Sequence, residues 1–246
     1  MTDFLPILYR ELIIYKKRLF KLSYVLSALI SPLIYLAVFG FGLGENLTVT
    51  GTNYITFLLP GLIAMTSMTN SYIWIANGLN IDRLYFKTFQ LLVQAPIKPI
   101  AILMGIITAG IIRGLFASSL IISVGLLCCT SFSPNGIFWL GLLLNCFMFS
   151  TLGVIIGMIT KSHEETAIYS NFLMVPMAFF SGTFFPLEKL PFFVKPLIYA
   201  LPLTYSTILI RKSQWDRVTL LSLFITIGFS LMFLFLALRL IKNYRE

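Results

Sequence analysis

FFSGTFFPLEKLPFFVKPLIYALPLTY, running from Phe179 to Tyr205, is the stretch whose reading decides the fold. An apolar segment reaches Phe185 and then breaks into short apolar pieces. Pro186, Pro191, Pro196 and Pro202 punctuate them, with Glu188, Lys189 and Lys195 between. No piece approaches the roughly 20 apolar residues that a bilayer crossing requires. Each proline removes a backbone donor and ends or kinks a helix. Broken backbone survives at membrane depth only where protein or water shelters it. The expectation is therefore a re-entrant helical hairpin over residues 187–206, dipping into one face of a membrane. A surface loop is the alternative, and Phe192, Phe193, Leu197, Ile198 and Leu201 are too apolar to suit it.

The composition supports a membrane setting. Of 246 residues, 58% are hydrophobic and 11% charged, with mean hydropathy +0.92, which describes an integral membrane protein and leaves little for a soluble domain. The net charge of +9 suits lysines and arginines flanking spans better than nucleic-acid binding. Cys128, Cys129 and Cys146 all lie in apolar segments without metal or disulfide spacing.

Outward from the hairpin, six spans are expected: about 22–42, 54–77, 100–129, 136–159, 166–185 and 218–238. Residues 3–18 place Phe4, Leu8, Leu12 and Tyr15 on one helical face, as in an amphipathic helix lying on the membrane surface. Ile81, Leu84, Tyr85 and Leu92 recur at helical spacing in a polar stretch, which predicts a second amphipathic helix over about 81–93, ended by Pro96. Gly153-Val-Ile-Ile-Gly157 is a spacing that lets two helices pack closely. Lys16, Lys17, Arg18 and Lys21, then Arg83, Lys87, Lys98 and Lys161, and finally the basic tail share one side if six spans are drawn. Both termini are then cytoplasmic. Lys189, Lys195, Arg211, Lys212 and Arg217 fall on the other side and run against that pattern.

Catalytic sets are absent from the sequence. His163 is the single histidine and sits in a polar turn beside Glu164 and Glu165. The expected spans hold no Asp or Glu, which weakens an ion-coupled carrier, since such carriers use intramembrane carboxylates. No glycine-rich loop followed by lysine is present to cradle phosphate, so ATP, if used, is bound elsewhere.

Arg113 lies about 14 residues into its span, roughly 21 Å up a helix rising 1.5 Å per residue. A charge at that depth needs a partner or water. One reading turns it into a translocation path to meet an anionic group, and the other bonds it within the bundle; the sequence leaves both open. For the 81–93 helix, the choice is between floating at the interface and pressing into a groove on a cytoplasmic partner.

The arrangement resembles the ABC-2 type permeases. Most of the likeness rests on Phe180-Ser-Gly-Thr-Phe-Phe-Pro186 through Leu190-Pro191 to Leu201-Pro-Leu-Thr-Tyr205, which is similar to the segment around the fifth span of nodulation-factor (lipo-oligosaccharide) and drug-export permeases. Leu91-Leu-Val-Gln-Ala-Pro-Ile97 is similar to the segment after that family's coupling helix. Arg83-Leu-Tyr-Phe-Lys87 departs from it, lacking an acidic, glycine-containing run. The resemblance implies an all-α half-transporter in a bacterial inner membrane, with no catalytic, cofactor or metal site of its own. Two permease chains, as a homodimer, would pair with two separate ATPase subunits that bind ATP and Mg. Asp82, Arg83, Phe86, Lys87, Phe89 and Gln90 would touch the ATPase. Arg113 would line the path. Phe184, Phe185, Pro186, Leu190, Pro191, Pro202 and Tyr205 would form an outer gate. The implied activity is export of an amphipathic or lipid-linked substrate. The rivals are an ion-coupled carrier working without ATP, and an intramembrane enzyme or scaffold.

Overall fold

The structure, a computed structural model, describes residues 4–19, 22–42, 48–49, 52–128, 134–187 and 194–244. Among these the chain is helical apart from a two-residue antiparallel pairing of Thr48–Val49 with Thr52–Asn53. The helices are α1 (Phe4–Leu19), α2 (Leu22–Tyr35, continued by a π-helical segment Leu36–Gly42), α3 (Tyr54–Leu84), α4 (Thr88–Gln94), α5 (Pro99–Cys128), α6 (Gly136–Ile159), α7 (His163–Phe180), α8 (Lys195–Ala200), α9 (Pro202–Arg211) and α10 (Arg217–Lys242). Polar side chains set several starts. Asn135 accepts from the Phe138 amide at 2.8 Å, Ser162 from Glu165 at 3.0 Å and Asp216 from Thr219 at 2.7 Å, each satisfying an orphan donor of a first turn.

Pro99–Leu127, Gly136–Ile159 and Arg217–Lys242 are long and apolar enough to cross a bilayer, as befits a multi-pass membrane protein. The other expected crossings correspond to α2 with its π continuation, α3 and α7. α3 has length to spare, but it carries Thr66, Ser67, Thr69, Asn70, Ser71, Asn77 and Asn80.

α3 runs through the middle of the bundle, packed on α5, α6, α7 and α9. Glycine makes the central contact possible. A Cβ at Gly153 would stand 2.8 Å from the Tyr72 carbonyl oxygen, and one at Gly157 2.9 Å from that of Ala76. The spacing noted in the sequence thus lays α6 directly on the α3 backbone. On the other side, a Cβ at Gly114 of α5 would meet the Ser67 carbonyl at 3.1 Å.

Away from water, the polar groups of α3 must be answered inside the protein. Its hydroxyls turn back on the helix, Ser71 to Ser67 O at 2.7 Å and Thr69 to Met65 O at 2.8 Å. Asn145 of α6 donates to Ser67 Oγ at 2.7 Å and Ala64 O at 3.0 Å, and its Oδ1 accepts from Ser206 of α9. The outer surface is apolar: α10 exposes Leu221, Phe224 and Phe235, and α7 exposes Ile168, Phe172 and Val175.

Two differences from the sequence reading concern boundaries. The predicted 81–93 helix is divided. Residues Ile81–Leu84 are the last turn of α3, and Lys87, in the left-handed region at φ 54°, turns the chain into the short helix α4. The expected hairpin contains α8 and α9, the latter extending to Arg211. Its residues 188–193, with Leu190 and Pro191, lie outside the described residues.

Candidate functional site

At the end of the bundle carrying α1 and α4, the break between α3 and α4 leaves Tyr85 62% and Phe86 70% exposed, with Lys87 also exposed. Arg83 folds back, its guanidinium donating to the Thr160 carbonyl, while Asn80 donates to Thr160 Oγ1 at 3.0 Å. Both tie the end of α3 to the α6–α7 turn. Phe89 faces inward and is buried, edge-on to Tyr244 at 5.3 Å. Of the residues expected to meet a partner, Phe86 and Lys87 therefore face outward, while Phe89 belongs to the core.

Asp82 is part of a charge network. Arg10 of α1 contacts the Asp82 carboxylate at 2.5 Å, Glu11 at 3.1 Å and Thr88 Oγ1 at 3.3 Å. Glu11 in turn lies 3.5 Å from Arg113 of α5, which also donates to the Glu11 carbonyl at 3.3 Å. Arg113 is 1% exposed, and its guanidinium stacks 4.3 Å from the Trp74 ring centroid and 5.1 Å from that of Tyr15. Burial pushes the Glu11 carboxyl above the usual carboxylate range, against the opposing pull of Arg113 and Arg10. A cavity of about 320 Å³ opens beside this network, with Trp74, Ile75 and Phe86 among its apolar lining and Arg10, Glu11, Asp82 and Thr88 among its polar lining. The partner that Arg113 requires is thus a carboxylate on the N-terminal helix. Sequence reading missed it; the available signal was that every carboxylate lies outside the expected spans.

At the opposite end, Gly182, at φ 78°, begins a turn that only glycine adopts readily. The turn is clamped from two sides. The Tyr54 hydroxyl donates to Phe184 O at 2.9 Å, and Arg211 of α9 donates to Thr183 O at 3.0 Å while lying 3.9 Å over the Phe57 ring. Phe184 is buried among Tyr35, Phe39 and Phe179, with centroids 5.0–5.3 Å away for each. Pro186 and Pro202 are buried, Phe185 is exposed, and the Tyr205 hydroxyl donates to Tyr199 O at 2.7 Å. The structure brings Phe184 together with Tyr54, Phe57 and Arg211, which sequence reading did not single out. Among the described residues, no group of three or more His, Cys, Asp or Glu is placed to hold a metal ion.

Residues 3–215 match the family model described as ABC-2 type transporter. The chain is 28% identical over 178 residues to the Inner membrane transport permease YadH of Escherichia coli K12, covering 72% of this chain and 69% of that one. It is 26% identical over 195 residues to Nodulation protein J of Sinorhizobium fredii (78% and 74% covered), and 28% identical over 213 residues to Nodulation protein J of Rhizobium leguminosarum bv. trifolii (82% and 77% covered).

Proposed function

The chain belongs to the ABC-2 type transporter family, and from that premise we propose that it is the permease subunit of an ATP-driven exporter in a bacterial inner membrane. Two copies form a homodimer of six-span chains with both termini in the cytoplasm. Two separate ATPase subunits bind ATP and Mg, a division supported by the lack of a phosphate-cradling loop here. The cargo is amphipathic or lipid-linked: a lipo-oligosaccharide, a glycolipid or a drug. The location is supported by the name of the Escherichia coli relative, an inner membrane transport permease.

The observation that carries this reading is the exposed aromatic pair Tyr85 and Phe86 at the α3–α4 break. Large aromatics on a basic, water-facing end suit a protein partner better than solvent. Arg83, Lys87 and Gln90 flank that contact, and Asp82 backs it. At the other end, Phe184, Phe185, Pro186, Pro202 and Tyr205 form the gate, with Leu190 and Pro191 between them in sequence. For Arg113, burial against Glu11 supports a role within the bundle over one in the path.

The test is co-purification with a candidate ABC ATPase subunit from the same genome, followed by reconstitution into vesicles. A stable complex is expected that moves a fluorescent lipid-linked oligosaccharide or a cationic dye only with ATP, and loses that movement on Phe86→Asp. Transport driven by an ion gradient without nucleotide would make it a carrier instead.

A further inference from the structure

We propose that Glu11 is a positioning residue: it pins α1 between the α3–α4 break and the core helix α5, so that a push on the break is delivered to α5 through α1. This rests on the reading that an ATPase works from that end. Two neighbouring residues of α1 reach different partners. Arg10 holds Asp82 and Thr88, one on each side of the break, at 2.5 and 3.3 Å. Glu11 holds Arg113, 14 positions along α5 from Pro99, at 3.5 Å. The Arg10–Glu11 contact at 3.1 Å closes the chain of charges.

The two ends of this chain differ in stiffness. Arg113 is fully enclosed and stacked on Trp74 and Tyr15, so it moves only with α5. Arg10 and Asp82 are partly open to solvent, their side chains 29% and 23% exposed. A buried charge stripped of its counter-charge is strongly disfavoured, so Arg113 keeps α1 close by whenever the break moves. The remainder of α1 is seated to follow, because a Cβ at Gly105 of α5 would lie 2.7 Å from Ile7. The competing route is direct: α3 touches α5 at Gly114, against Ser67 and Ser71.

The first arm uses the chain alone in lipid nanodiscs, so it does not depend on the partner. Cys128, Cys129 and Cys146 are replaced by serine, and a cysteine is placed at the buried position Ile7. Glu11→Gln and Arg113→Gln are each expected to raise its maleimide labelling rate about fivefold or more, with the double variant no faster than either single one, as two residues of one interaction behave. Labelling at the wild-type rate in Glu11→Gln, or strictly additive effects, overturns the proposal. The second arm uses the complex with the ATPase and spin labels at Leu91→Cys on α4 and Leu127→Cys on α5. ATP with vanadate is expected to shift the distance between them in the wild type, and Glu11→Gln to remove most of that shift. If α1 comes loose in Glu11→Gln while the shift persists, the direct α3–α5 route carries the motion and the proposal fails. A wild type showing no ATP-dependent shift counts against the exporter reading, while the labelling arm still decides whether Glu11 holds α1.

Discussion

Ser206 of α9 donates its hydroxyl to Asn145 Oδ1 of α6 at 2.6 Å, both side chains fully buried. With the amide donating to Ser67 Oγ and Ala64 O, one side chain joins α3, α6 and α9. Asn145→Leu keeps the branching at Cγ and removes all three bonds. Because Ser206 and Ser67 retain carbonyl partners at Leu203 and Ala64, the expected loss is modest, about 1–2 kcal/mol. Unfolding in mixed micelles measures it, and an unchanged midpoint would show that the three helices hold together without the network.

Gly153→Ala is expected to destabilise by about 1–3 kcal/mol, as overpacking does. Its new methyl would sit 2.8 Å from the Tyr72 carbonyl, a backbone atom that cannot swing aside. Gly228→Ala on α10 is the matched control. Nothing lies within 4 Å of its Cβ position, so it should be neutral or stabilise by up to about 1 kcal/mol through helix propensity. Thermal aggregation of the two variants in detergent tests the contrast; equal midpoints would contradict the packing described here.

Tyr54→Phe deletes the single bond from α3 to the Phe184 carbonyl. A net loss of about 1 kcal/mol corresponds to roughly fivefold easier opening of the turn. A cysteine replacing the buried Thr183 should then be labelled about fivefold faster in nanodiscs. An unaltered rate would mean that Arg211 alone clamps the turn.

Parts of this arrangement are legible from residues alone. Gly153 and Gly157 announce a close helix contact because only glycine permits it, and Arg113 announces a partner because a bare charge at depth is untenable. The identity of that partner is not legible: Glu11 stands 102 positions away, and nothing in helical periodicity links the two. The α3–α4 break is hidden for a different reason. Ile81, Leu84, Tyr85 and Leu92 keep helical spacing straight across it, so the apolar pattern runs on where the backbone turns at Lys87. The inward seat of Phe89 is hidden too, because an amphipathic face looks alike whether it meets a partner or its own core. The clamp by Tyr54 and Arg211 joins α3, the turn after α7 and α9, and no local signal brings them together.

The polarity of α3 has a consequence for biosynthesis. During synthesis, α3 leaves the ribosome long before Asn145 and Ser170, whose side chains answer Ser67 and Tyr72. Until then its hydroxyls and amides lower its preference for lipid. α3 is therefore expected to commit to the bilayer only after α6 has been made, and a nascent chain truncated near Asn135 should leave it sliding between periplasm-accessible and protected positions, as labelling of single introduced cysteines would register. The segment at the centre of the finished bundle would then be among the last to settle into it.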